Sequence, residues 1–300
     1  MGPRDLRPGM TEGGVGRHCS CFSWFSWFHF KERAAGAIRG GMKIATWNVN
    51  SINARLPTIM QWFAEAAPDV AVLQEIKCID EKFPFLEFEA LGYNVAVHGQ
   101  KAYNGVAMVS KTPLEDVVKG LPGEDKDDHA RYIEALVSGP TPVRVAGIYL
   151  PNGNPIGTDR FAYKLRWMER LTDRAKALMA YEEPLVIAGD YNVIPEPEDA
   201  DKPEGWLGDA LFQPESRGAF RALKYLGLTD AYMQADGEAG GYTFWDYQAG
   251  AWQKNHGIRI DHLLLSPQAA DRLTGVTIPR DVRAREKPSD HVPVVAELDV

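Results

Sequence analysis

Short apolar runs rich in β-branched residues recur along the chain from Lys43 onward, and several end on a polar cluster. Lys43-Ile-Ala-Thr-Trp47 alternates with period two and predicts a strand, whereas Val70-Ala-Val-Leu73 is apolar throughout and predicts a short strand buried on both faces. Further strands are predicted at Tyr93–Val97, Gly105–Ser110, Tyr132–Val137, Val143–Tyr149, Leu185–Ala188, His262–Leu265 and Val292–Leu298, with turn residues between them. Leu56, Ile59, Met60 and Phe63 fall at helical spacing, which predicts a helix capped by Asn53, running to about Ala66 and stopped by Pro68-Asp69. Two more helices are predicted, at about Asp159 to Tyr181 and Ser216 to Tyr225. Strands outnumber helices and several follow one another directly, so a purely parallel doubly wound sheet is excluded. The expected fold is a four-layered α/β sandwich: two mixed, mostly antiparallel β-sheets packed face to face, with helices outside.

Composition refines this picture at one end of the chain. With 300 residues, 45% hydrophobic and 25% charged, there is ample material for one large core, and beyond residue 42 no break in composition divides the sequence. Residues 1–41 differ, being Gly-rich and basic around the aromatic patch Phe22-Ser-Trp-Phe-Ser-Trp-Phe-His-Phe30. Lys31-Glu32-Arg33 follows that patch at once, too early for a secretory signal. A disordered extension over 1–41 and a single catalytic domain over 42–300 are therefore expected. The three cysteines, Cys19, Cys21 and Cys78, form neither a disulfide framework nor a zinc-ligand pattern, which points to a reducing, cytoplasmic setting. Removing the tail's six Lys or Arg and three acids from totals of 33 and 41 leaves 27 basic and 38 acidic residues, a net charge of −11. Such acidity excludes indiscriminate coating of nucleic acid but leaves room for a local basic groove and for divalent cations among clustered carboxylates.

The polar clusters at the ends of the apolar runs carry the candidate chemistry. Asp190 and Asn192 stand two apart after Leu185-Val-Ile-Ala188, so an extended chain presents both on one face, where a carboxylate accepts a proton from a water that an amide orients. Gly-Asp-x-Asn also reads as an ordinary turn. Asp290-His291 precedes Val292-Pro-Val-Val295, and Asp261 offers a carboxylate to hold an imidazole in one tautomer and raise its pKa. Glu75 ends the Val70 run and suits Mg²⁺, which proteins hold with one or two carboxylates plus waters and substrate oxygens. Asn48 and Asn50 end the first strand, again on one face. Each residue alone has a plain structural explanation; their repetition at so many strand ends does not.

Seven motifs in order, Trp47-Asn-Val-Asn-Ser51, Leu73-Gln-Glu-Ile-Lys77, Gly105-Val-Ala107, Ile148-Tyr-Leu-Pro-Asn-Gly153, Gly189-Asp-Tyr-Asn192, Arg259-Ile-Asp261 and Ser289-Asp-His291, resemble the exodeoxyribonuclease III family of apurinic/apyrimidinic endonucleases, within the endonuclease/exonuclease/phosphatase superfamily. The resemblance covers about Met42 to Val300. It implies Mg²⁺ or Mn²⁺ dependence, incision of duplex DNA 5′ to an abasic site, and 3′ to 5′ exonuclease and 3′-phosphatase activities on 3′-blocked ends. By matching positions, Glu75 resembles the main metal ligand with Asn50 and Asp290 around the ion. Asp190 resembles the water-activating residue and Asn192 its orienting partner. Asp261 and His291 look like the pair at the scissile phosphate, Asn48 like a supporting hydrogen-bond donor, and Tyr149 like a phenol that contacts the phosphate or assists the leaving group. Lys77, Arg131 and Asn152 match positions facing phosphates or the damaged strand. Trp245 is similar to an aromatic lining the abasic pocket, though it also reads as a core residue. Asn152 and Asn154 depart from the family's Pro-Gln-Gly loop, and Asp199 to Ser216 need not match its DNA-inserting elements in length. A monomer is expected, with no membrane partner for the core. A phosphatase or phosphodiesterase acting on inositol phosphates, lipids or small nucleotides would share Glu75, Asp190, Asn192, Asp261 and His291; Lys77, Arg131, Tyr149 and Trp245 favour DNA. A silent binding module of the same fold would have no physical need for the full set of acid, amide and imidazole positions.

Overall fold

Among the described residues, twelve strands divide equally between two sheets, each built around one parallel pair in an otherwise antiparallel arrangement. The structure is a computed structural model and describes residues 41–235 and 237–300. The expected disorder of 1–41, the aromatic patch, Cys19 and Cys21 lie outside the described residues, apart from Gly41. The first sheet has the order β11 (Leu273–Thr277), β12 (Val294–Leu298), β1 (Met42–Asn48), β2 (Val70–Gln74), β4 (Val106–Ser110) and β3 (Asn94–His98). The second runs β5 (Leu114–Lys119), β6 (Tyr132–Val137), β7 (Val143–Tyr149), β8 (Leu185–Asp190), β10 (Asp261–Leu265) and β9 (Thr229–Asp230). Parallel neighbours need a crossover, and here each pair is bridged by a helix: α1 (Leu56–Ala66) joins β1 to β2 and α3 (Asp159–Met179) joins β7 to β8.

Three apolar clusters account for the layering. Ile44, Val70, Val72 and Met108 of the first sheet meet Ile133, Val145, Val186 and Leu263 of the second. Gly147 marks a close approach, since a Cβ there would lie 2.3 Å from Val72 Cγ1. Behind the first sheet, Trp47 packs against Trp62 and Phe63 of α1 and Phe88 of α2 (Phe85–Ala90). Behind the second, Ile148 and Ile187 meet Trp167, Met168 and Leu171 of α3 and Phe220 of α4 (Pro214–Lys224). Short helices α5 (Ala231–Ala235) and α6 (Pro267–Ala270) pack near β10 and β11. The expected sandwich is thus observed, within a unit clustered over Arg39–Val300. Among the described residues no helix is long and apolar enough to cross a membrane.

The differences from expectation have local causes. α1 starts at Leu56 rather than at Asn53, because Asn53 spends its amide on the Lys82 carbonyl and Pro57 favours the first turn. β12 begins only after Pro293, which lacks the N–H a ladder needs. β5, β9 and β11 were not predicted. β5 and β11 are exposed edge strands, and β5, Leu-Glu-Asp-Val-Val-Lys, shows mixed charge instead of clean alternation; β9 is only two residues long.

Candidate active site

The strand ends converge as the polar clusters require. Asn48 is the last residue of β1, Tyr149 of β7 and Asp190 of β8, while Asp261 opens β10 directly opposite Asp190. Glu75 follows β2, and Asp290 and His291 lie in the segment before β12. Several residues here hold a positive φ that side chains seldom adopt: Asn50 (44°), Glu75 (52°), Lys77 (53°) and Asn192 (46°). Such strain clusters where surrounding structure holds a functional geometry.

Asn48 links the sheets. Its fully buried amide nitrogen donates to Glu75 Oε1 at 2.9 Å and to Asp190 Oδ2 at 3.0 Å, and its oxygen accepts from the Asn50 backbone N–H at 3.0 Å. Tyr149 donates its hydroxyl to the same Glu75 Oε1 at 2.8 Å. Burial pushes the Tyr149 pKa well above a free phenol's, reinforced by Glu75 and Asp190, so it remains a neutral donor. Burial works to raise the Glu75 pKa, but Lys77 and Asn48 outweigh it and hold the carboxyl below its ordinary value.

On the other side of Asn48 lies a drier group. His291 Nδ1 is 2.8 Å from Asp261 Oδ2 and His291 Nε2 is 3.8 Å from Asp190 Oδ2. Burial alone would lower the histidine's pKa; Asp261, by charge and hydrogen bond, and then Asp190 raise it to about 10. The imidazole is therefore a cation at neutral pH, with Nδ1–H donated to Asp261. Asp190 is pushed up to about 7, chiefly by burial and also by Asp261, against the opposing pull of His291, the Asn48 amide and the Asn192 backbone N–H. Asn192 donates that N–H to Asp190 Oδ1 at 2.9 Å, its side-chain nitrogen to the Leu150 carbonyl at 3.0 Å, and receives the Asn152 amide at 3.1 Å.

Among the described residues, two groupings at the site could hold a metal. Ligand atoms of Asp190, Asp261 and His291 lie within 4.8 Å of one another, yet a protonated His291 has no lone pair to give. Glu75, Asn50 and Asp290 supply hard oxygens of the kind Mg²⁺ and Mn²⁺ prefer. Their arrangement already gathers on a positive charge: Lys77 Nζ is 2.7 Å from Glu75 Oε2 and 2.5 Å from Asn50 Oδ1, and Asn50 donates to Asp290 Oδ1 at 3.1 Å. The half-buried oxygens of this second grouping fit a divalent ion.

Of the expected substrate-facing residues, Lys77, Arg131 and Asn152 reach the rim. Arg131 stacks 4.7 Å over the Tyr149 ring and donates to the Tyr149 carbonyl, and Asn152 is exposed. Trp245 does not reach it. It is fully buried between Trp252 and Tyr242, donates its indole N–H to Asn255, and lies under Arg280, so the expected pocket-lining role fails. The neighbouring Phe244 is partly exposed instead, its ring 4.9 Å from His291. Phe244 bridges both Ile258 and His291 through the backbone, and that parity turns Trp245 inward. Alternation across Thr243-Phe-Trp was the available signal. The Asp199 to Ser216 segment exposes Leu207 midway and is tied to the loop after Asn152 by Asn154, which bonds Asp209 and the Ala210 N–H.

Comparisons with known proteins give the family. The model of the endonuclease/exonuclease/phosphatase family matches residues 45–291. Exodeoxyribonuclease III of Haemophilus influenzae is 34% identical over 266 residues, covering 86% of this chain and all of that protein. Among solved structures, the 3′ phosphatase NExo from Neisseria, bound to a product DNA hairpin, superposes with a TM-score of 0.83 at 41% identity, covering 86% of this chain and 100% of that one. An AP endonuclease from Archaeoglobus fulgidus gives 0.82 at 38% identity, with the same coverage. Strand ends that bring Asn48, Glu75, Asp190 and His291 together, and a match over most of its length, place the chain in the endonuclease/exonuclease/phosphatase family.

Proposed function

We propose that this chain, a DNA repair nuclease of the exodeoxyribonuclease III kind, incises duplex DNA 5′ to abasic sites in a Mg²⁺- or Mn²⁺-dependent reaction and also trims or dephosphorylates 3′-blocked ends, using one domain over residues 42–300. Glu75, Asn50 and Asp290 would hold the ion. When bound, the ion supplies Lewis-acid stabilisation of charge on the phosphate and on the departing 3′ oxygen. Asp190, poised near neutrality, takes the proton of the attacking water while Asn192 orients it. The new bond forms from that water oxygen to phosphorus as the bond to the 3′ oxygen breaks. His291, kept cationic by Asp261, donates Nε2–H to a phosphate oxygen as its charge develops. Tyr149 presents a neutral hydroxyl beside Glu75, and Lys77, Arg131 and Asn152 guide the backbone. Phosphoryl transfer asks mainly for positioning and electrostatics, and no nucleophilic side chain is needed.

The observation that carries this reading is the Asn48 amide shared by Glu75 and Asp190, which joins an ion-binding carboxylate to a water-activating one. The test is an end-labelled duplex with one abasic analogue, compared with an intact duplex, in Mg²⁺ or chelator. Incision at the abasic position that stops on chelation supports the reading; an uncut duplex in Mg²⁺ refutes it. A second reading, in which removal of a 3′-phosphate outweighs incision, is favoured by the 41% identity to a 3′ phosphatase. The same assay with a 3′-phosphorylated end ranks the two.

A further inference from the structure

α3 carries Lys164 in register with Trp167, Met168 and Leu171, which puts a lysine on the stripe that faces the core. The side chain is fully buried. Buried lysines are rare unless their charge is met, and a methionine would fill this volume without desolvating an ammonium. Lys164 Nζ meets backbone oxygens rather than a carboxylate. It donates to the Asn152 carbonyl at 3.1 Å and to the Asn192 carbonyl. Both acceptors belong to segments that form the site. Asn152 follows β7 and Asn192 follows β8, and their side chains are bonded to each other. The neighbouring Gly153, at φ +87°, leaves room for the lysine: a Cβ there would lie 2.6 Å from Lys164 Cδ.

We propose that Lys164 is a positioning residue for the hydrolytic step, its ammonium fastening the Asn152 and Asn192 carbonyls from beneath so that Asn192 and Asp190 meet the attacking water at a fixed angle. The inference rests on the water-orienting roles given above to Asp190 and Asn192. Three features support it. Asn192 holds a left-handed backbone conformation, which a bond to its carbonyl stabilises from outside the turn. Its N–H and its side chain are both engaged in shaping the Asp190 end of the site, so a rotation of this peptide would move both. The ammonium also faces the charges of Asp190 and Asp209, which favour its protonated form against burial; the balance brings its pKa down to about 7. Displacements of about 1 Å near reacting atoms cost on the order of 10²-fold in rate, so the fastening would act on turnover more than on DNA binding.

The experiment compares steady-state incision by wild type, Lys164→Met, Asn192→Ala and the double variant, with thermal unfolding as a control for folding. Expected are a kcat for Lys164→Met lower by about 10²-fold, a KM within about threefold of wild type, and a double variant whose loss falls at least about tenfold short of the product of the two single losses, because the lysine acts in part through the asparagine side chain. Losses that multiply in the double variant, or a change confined to KM, would overturn the proposal. If Asn192→Ala itself turns over normally, the water-orienting reading fails instead, and the two failures are distinguished. Should Lys164→Met not be recovered folded, Lys164→Gln, which keeps a donor without a charge, takes its place. A kcat loss of about 10-fold at unchanged KM supports the proposal, and full activity overturns it.

Discussion

Two buried clusters of acid and base meet across β10, and they are made from nearly the same residue types. On the side facing the site, Asp261 holds His291 at 2.8 Å with Asp190 close by. On the other side, one residue further along the strand, His262 lies 3.1 Å from Asp230, and Arg259 bonds both Asp230 and Asp199 at 2.7 Å. The difference is the arginine. Its guanidinium bonds both carboxylates of the second cluster: burial works to raise the Asp230 pKa, but Arg259 and His262 hold it well below the usual carboxylate range. In the first cluster burial, and after it the charge of Asp261, push Asp190 upward against the pull of His291, and Asp261 Oδ1 is buried without a hydrogen-bond partner. A guanidinium that bonds both carboxylates makes a structural lock, even with His262 Nε2 buried beside it without a partner. A cluster without one leaves a carboxylate poised to take a proton and an imidazolium free to donate.

The largest expected effect tests the poised cluster. Asp190→Asn keeps shape but cannot accept a proton, so kcat should fall by at least about 10³-fold, with the affinity for abasic duplex in a binding assay within about threefold of wild type. Near-normal turnover would remove the water-activating role. The mirror substitution, Asp230→Asn, should leave kcat within about threefold of wild type while destabilising the fold by about 3–5 kcal/mol in a denaturant titration, because it leaves Arg259 short of one buried partner. A large loss of kcat in a stably folded Asp230→Asn would dissolve the contrast.

A third substitution separates charge from contact within the site. Asp261→Asn preserves a polar neighbour for His291 but removes the charge that most raises its pKa. Turnover should drop by about 10²-fold. The alkaline limb of the kcat/KM profile, expected near pH 10 in wild type, should move to lower pH, and the acid limb near 7, from Asp190, should move down as well, because the Asp261 charge helps to raise it. An unmoved alkaline limb would mean that His291 does not act as the cation.

How much of this was readable in advance depended on whether the information was local. Polar pairs after apolar runs, such as Asp190 with Asn192 and Asn48 with Asn50, mark strand ends, and strand ends in a sandwich converge. Trp245 misled because two adjacent aromatics differ only in parity, and parity is set by the bridges of Phe244 to Ile258 and His291, distant in sequence. Asp230 and Arg259 belong to one cluster only through the pairing of β9 with β10, and β9 is too short to announce itself. Lys164 left a readable trace, a lysine in the apolar register of α3, but its acceptors are backbone carbonyls, which no side-chain pattern reveals.

The smallest expected effect is also the one in which the two clusters act with opposite sign. Asp230 has a depressed folded pKa against about 3.9 unfolded, so its contribution to stability is full above about pH 4 and is lost as pH falls below it. His291 is raised to about 10 from about 6.5 unfolded, so its contribution is full below about 6.5 and is lost as pH rises through 10. Asp190, raised to about 7, works in the same direction as His291: the folded state loses stability as pH climbs from about 4 to about 7, because the buried carboxyl must ionise there. Thermal unfolding across pH should therefore show an acid limb owed to the locked cluster and a decline toward alkali owed to the poised one. Asp230→Asn should flatten only the acid limb, and Asp190→Asn only the decline toward alkali, removing the part between about pH 4 and 7 and reducing the His291 part above it, since Asp190 helps to raise His291. If either substitution flattened both limbs, the clusters would be one coupled network, and the division of labour between the faces of β10 would not hold.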